Sequence, residues 1–142
     1  MEFAEKFAPV IWVTLAYVGV YYAFLVNVLR VKVALVKECK SQGIRFDRYG
    51  STDPKLRAAD RVQLNTLEHM PTFLSLLWLH ATVVDPAQAA IFGWLYVGLR
   101  ALYPFFLGAE LGENIQPRVL INTFSGYLLL GIMAVSVMCE LV

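Results

Sequence analysis

The sequence predicts an all-α integral membrane protein folded as a four-helix bundle, and three observations predict it. Hydrophobic residues make up 58% of the 142-residue chain and charged residues only 16%, whereas soluble domains carry about 25% charge. The mean hydropathy is +0.59. Apolar stretches long enough for a hydrocarbon core of about 30 Å recur along the whole chain, without internal repeats or low-complexity tracts. A single domain over residues 1–142 is therefore expected, with spans near 7–29, 57–84, 86–108 and 119–139.

Charges mark the boundaries, because a charged side chain at the bilayer centre costs about 2.5–3.5 kcal/mol on insertion scales. The first span, 7–29, is uncharged. The preceding "MEFAEK" is net negative and no small-residue cleavage site precedes Arg30, so it reads as a retained helix and not a signal peptide. Between the first and second helices, "KSQGIRFDRYGSTDPK" is the one stretch that reads as a loop, with Gly43, Gly50 and Pro54 as breakers. Its "STDP" is a helix entry, a capping side chain just before a proline at the first helical position. The second helix then carries "KLRAADRVQLNTLEHM" into the apolar run 69–84. The third starts at Pro86, meets Arg100 and resumes as "ALYPFFLGA"; the fourth is again uncharged. Pro71 and Pro104 fall inside helices, where neighbouring segments can satisfy the freed backbone groups.

Nine of the twelve Lys and Arg lie within residues 30–61, while the second connection holds only Asp85. Positive charge is retained on the cytoplasmic side. That assigns the first and third connections to the cytoplasm and both termini to the lumenal or outer side. The endoplasmic reticulum and a bacterial inner membrane satisfy the rule equally. A net charge of +1 argues against a nucleic-acid partner; the basic segment suits topology and anionic lipid headgroups, each cation near the surface contributing about 1 kcal/mol. Cys39 and Cys139 should lie on opposite sides, so they cannot pair within one chain, and neither has metal-ligand spacing. No metal is expected. Lys37 and Lys40 flank Cys39, whose simplest reading is a free surface thiol.

The chemistry concentrates on the second helix. Arg57, Arg61, Asn65, Glu68 and Thr72 follow one another by four, four, three and four residues, which puts them on one face. This polar face enters at membrane level. Arg100, about 20 Å along the third span at 1.5 Å per residue, reaches a similar depth, with Tyr103 one turn on, and Arg30 closes the first span. Three helices thus bring cationic or polar groups to one side. Several guanidiniums with amide donors suit a ligand bearing carboxylates, and Glu68 suits an amine on the same ligand. The competing reading is an Arg/Glu network that only holds helices together.

These residues resemble a known signature. "RVQLNTLEHMPTFLSLLW" is similar to the second-helix motif of the MAPEG superfamily, the membrane-associated proteins in eicosanoid and glutathione metabolism: Arg-x-x-x-Asn-x-x-Glu, then tyrosine or histidine, then Pro. "YGSTDP" resembles the microsomal glutathione transferases of the third type, and "LRALYPFF" carries the Arg-x-x-Tyr of the third helix. The resemblance extends over essentially the whole chain. It implies a homotrimer with glutathione held as co-substrate in a cytoplasm-facing cleft between subunits. The matching glutathione-binding positions are Arg30, Arg61, Gln63, Asn65, Glu68, His69, Arg100 and Tyr103. The arginine that favours the thiolate corresponds to Arg118, with Arg30 as the other candidate, and a lipophilic co-substrate arrives from the bilayer. The implied activity is conjugation of lipophilic electrophiles, or reduction of lipid hydroperoxides. Two departures are visible: Leu107 stands where many members place a second tyrosine, and the connection "ELGENIQPR" is longer than in the leukotriene C synthase type. "PTFLSLLW" and the third span also resemble the lipoxygenase-activating protein, so a non-catalytic lipid-binding scaffold is the alternative.

Other residues have plainer expectations. Trp12, Trp78, Trp94, Tyr17, Tyr21 and Tyr22 read as lipid-facing or packing aromatics, and His80 as interfacial. Gly19, Gly93, Gly98, Gly126 and Gly131 read as sites of close helix approach. Asn122 and Ser125 either bond between helices or line the cleft.

Overall fold

The computed structural model describes residues 2–47, 50–111 and 117–142. It contains four helices: α1 (Glu2–Ser41), α2 (Pro54–Val83), α3 (Pro86–Leu107) and α4 (Pro117–Glu140). No strand occurs among the described residues. α1, α3 and α4 are each long and apolar enough to cross a membrane. α2 runs beside them, its charged stretch leaving it outside that class.

The helix entries follow from local chemistry. Asp53 caps α2, its carboxylate accepting from the backbone N–H of Lys55 and of Leu56 at 2.9 Å each, with Pro54 in the first turn. Asp85 caps α3 in the same way, accepting from Gln88 N at 2.7 Å ahead of Pro86. Pro71 and Pro104 lie within α2 and α3 without ending them. The loop ends at Asp53 as expected. Tyr49 of "YGSTDP" and residues 112–116 of "ELGENIQPR" lie outside the described residues.

The helices alternate in direction. Tyr17 pairs with Phe73 and Lys32 with Asp60, which makes α1 and α2 antiparallel. Leu77 meets Gly93 and Asn65 meets Arg100, so α2 and α3 are antiparallel too. Asn122 bonds to Leu99, and α4 runs back along α3. Both termini and the Val84–Asp85 turn therefore share one end, and the two long connections share the other. There, Leu111 N donates to Pro54 O at 3.0 Å. α2 and α3 form the middle of the bundle, with α1 on one side and α4 on the other, not touching each other among the described residues.

α1 extends well beyond its membrane span, and one residue is more buried than expected. α1 has 40 residues, about 60 Å at 1.5 Å per residue and twice the hydrocarbon thickness, so Arg30, Lys32, Lys37 and Lys40 are helical. His80 is not interfacial. Its side chain is fully enclosed, edge-on to Phe92 with 5.6 Å between ring centroids, and neither ring nitrogen has a partner among the described residues. Its position on the inner stripe of α2, three residues after Leu77, outweighs its closeness to the helix end.

The core runs through Val10, Val13, Tyr17, Phe73, Leu77 and Tyr96, all at 0% exposure. Of the aromatics named above, Tyr17 packs inside, Trp78 lies against Phe7, and Trp12, Tyr22 and Trp94 face outward. Of the five glycines expected at close helix approaches, Gly93 is the one whose absent side chain the packing demands. A Cβ there would lie 2.6 Å from Val13 Cγ1 and 2.9 Å from Leu77 Cδ1. Gly19, Gly98 and Gly131 have nothing within 4 Å of that position, so within one chain they bring no helices together.

Gly93→Val should cost about 1–3 kcal/mol through overpacking, seen as a lower melting temperature in detergent, while Gly19→Ala should leave it unchanged. His80→Leu should raise it, because the substitution removes enclosed ring nitrogens that have no hydrogen-bond partner.

Candidate functional site

Arg100 is the largest fully enclosed side chain, 2% exposed at the junction of α2, α3 and α4. Three of its donors are committed. Nη1 donates to Asn65 Oδ1 at 2.5 Å, while Nε and Nη2 both donate to Tyr96 Oη, at 3.1 and 2.8 Å. Tyr96 lies one turn earlier on the same helix, and its ring sits under the guanidinium at 5.0 Å from the centroid. The ring in turn stacks on Phe73 at 4.3 Å and 16°. Tyr17, also packed on Phe73, donates its hydroxyl to Thr66 O at 2.8 Å. No carboxylate of the described residues pairs with Arg100; neutral oxygens hold it.

Asn65 belongs to the polar face of α2. It turns inward at 6% exposure, while Arg61, one turn before, and Glu68, three residues after, remain exposed. Neither makes an ion pair with any described residue, and the same holds for Arg57, Arg30 and Arg118. Within one chain the charged face does not lock helices together. The α1–α2 ion pair is Lys32 Nζ to Asp60 Oδ1, 3.6 Å, and Lys32 rather than Arg30 faces α2.

The expected residues therefore divide. Asn65 and Arg100 are in contact. Tyr103 is buried one turn past Arg100, in a cluster with Val62, Leu107 and Val119 that puts it beside the first turn of α4, where Arg118 is exposed. His69 is half-buried, its ring 5.2 Å from that of Tyr127 on α4. Gln63 lies elsewhere: at 200° around the helix from Arg61, it donates to Tyr21 Oη on α1 at 3.1 Å. Arg30 is exposed on α1 and takes no part in the Asn65–Arg100 contact. One chain thus presents Arg61, Asn65 and Glu68 on one side of α2, and Gln63 with α1 on the other.

Tyr96 was not among the expected site residues, although a tyrosine four residues before an intramembrane arginine is a signal that a sequence can carry. Tyr127 was missed because nothing marks which α4 residue meets His69. Asn122 bonds between helices, donating to Leu99 O at 3.0 Å, whereas Ser125 bonds back to Ile121 O in its own helix. Cys39 and Cys139 are free and lie at opposite ends of the bundle.

Tyr96→Phe keeps the ring stack and removes the oxygen that accepts two of Arg100's hydrogen bonds. It should lower stability by about 1.5–3 kcal/mol, the range for a hydrogen bond to a charged group, measured by thermal denaturation in detergent.

No individually curated protein matches the chain. The family model described as MAPEG family matches residues 10–139, which takes in all of α2 and α3 and most of α1 and α4. With its four helices, apolar spans and α2 motif matched from one end of the bundle to the other, the chain belongs to the MAPEG family.

Proposed function

We propose that the protein is a membrane-bound glutathione transferase that conjugates lipophilic electrophiles, or reduces lipid hydroperoxides, through a glutathione thiolate. Membership of a family of membrane proteins of glutathione and eicosanoid metabolism supports the general class. The observation that carries the specific reading is the state of the α2 face: Arg61 and Glu68 stand exposed and without ion pairs among the described residues, on either side of an Asn65 fixed from behind by Arg100. A cation, an amide and an anion within two turns suit a ligand with carboxylates and an amine, and glutathione has two of the former and one of the latter.

The division of the set across two sides of α2 supports a homotrimer in which Arg30 and Gln63 of one copy complete the face of the next. In this reading α2 is a fourth span, the long connections face the cytoplasm, and both termini lie on the lumenal side of the endoplasmic reticulum or outside a bacterial inner membrane. A lipophilic substrate would enter from the bilayer by the apolar groove between α3 and α4, 490 Å³ in volume, with Trp94, Leu95, Gly98 and Leu128 among its lining. A free thiol has a pKa of about 8.5, so it is mostly protonated at neutral pH. The exposed Arg118 beside the buried Tyr103 cluster is the cation placed to favour the ionised form.

Stopped-flow absorbance on the purified protein should reveal a thiolate when glutathione is added, and turnover with a general electrophile. Absence of both would sink the proposal. Arg118→Ala should abolish the thiolate while glutathione still binds; a retained thiolate would transfer the role to Arg30.

The second reading, a lipid-binding scaffold without catalysis, rests on Leu107, which packs into an apolar cluster where a hydroxyl could stand, and on the same α3–α4 groove. Glutathione at a hundred times its dissociation constant should stabilise the protein by about 2.7 kcal/mol. Lipid binding with no such shift would favour the scaffold.

A further inference from the structure

The contact between Arg100 and Asn65 has a directional consequence. A guanidinium is a donor with no acceptor, and an asparagine amide has an acceptor at one end and two donors at the other. Arg100 Nη1 can therefore engage only Oδ1 of Asn65. The Nδ2 end must point away from Arg100. It donates to no described residue, yet it is not sealed in, because the fully enclosed polar side-chain atoms without a partner are, among the described residues, the two ring nitrogens of His80. Asn65 itself stands on the α2 face that carries the exposed Arg61, one turn before it, and Glu68, three residues after it.

Arg100 in turn holds its angle through Tyr96. Two donors, Nε and Nη2, converge on the one oxygen Oη, and the tyrosine ring is stacked on Phe73 at 0% exposure. At 2% exposure Arg100 itself has little surface to offer a ligand. We infer that Tyr96 and Arg100 are positioning residues: they hold the Asn65 amide so that its Nδ2 donors face the ligand, and an acceptor group of the ligand, a carboxylate or peptide carbonyl, takes that hydrogen bond. This inference rests on the glutathione reading above and changes the role of Arg100 from direct contact to orientation of another residue.

The test is a double-mutant cycle on glutathione affinity, measured by isothermal titration on the full-length protein in detergent. Asn65→Ala should raise Kd about tenfold, the scale of a hydrogen bond to a charged group. Tyr96→Phe should raise it several-fold, with kcat at saturating glutathione unchanged. The double variant should bind no more weakly than Asn65→Ala alone, because Tyr96 acts through Asn65. A double variant whose loss is the product of the two single losses overturns the inference, as does a Tyr96→Phe protein with unaltered Kd. Asn65→Asp covers the case in which either variant fails to fold: it keeps an acceptor for Arg100 and removes the donors, so unaltered affinity there overturns the inference too. If the unsubstituted protein binds no glutathione, the functional reading falls and this inference with it, an outcome distinct from binding that the variants leave untouched.

Discussion

A guanidinium held in the interior of a membrane bundle by neutral oxygens is the constraint on which the middle of this structure depends. Moving a cation from water into such a setting costs several kcal/mol even after relaxation, so the groups around it must be in place before it is tolerable. Asn65 and Tyr96 supply oxygens, the Tyr96 ring supplies a negative face, and Gly126 on α4 lies against the pair, where a Cβ would sit in ordinary contact with Tyr96 Cε2 at 3.5 Å and Arg100 Nη2 at 3.6 Å. Each of these lies on a different turn of α2, α3 or α4. Satisfying one side chain thereby sets the relative height of three helices.

The aromatic ladder extends that constraint to α1. Tyr96 stacks on Phe73, Phe73 packs on Tyr17, and Tyr17 hydrogen-bonds the α2 backbone at Thr66. Below this ladder Gly93 lets Val13 and Leu77 close in, and the core is apolar apart from the enclosed ring of His80. Above it, charge returns, but on the outside. Arg30, Arg57, Arg61, Glu68 and Arg118 all face away from the core. The bundle thus separates two uses of arginine, one buried and committed to its neighbours, the others exposed at the end where the long connections lie.

Much of this was legible in the sequence because it depends on local chemistry. Helix ends followed Asp-Pro pairs at Asp53 and Asp85, since a carboxylate cap and a proline without N–H suit a first turn wherever they occur. The polar face of α2 followed from residue spacing alone. Charge marks the end of the first span near residue 29, and α1 itself continues to Ser41 because a helix that leaves the bilayer has no reason to stop there. One correction has an equally physical cause. His80 was assigned to the interface from its distance to the turn, and the inner stripe of α2 overrode that.

By itself, then, the sequence determined the solvent, the number and direction of the helices and the face of α2 that carries the polar groups, because hydropathy, capping and the 3.6-residue period act within a segment. Tertiary structure alone decided which of those groups meet. Gln63 and Asn65 are two residues apart, yet one bonds to Tyr21 on α1 and the other to Arg100 on α3. Their 200° separation around α2 sends them to different neighbours, and the identity of each neighbour is a property of packing, which no single helix encodes.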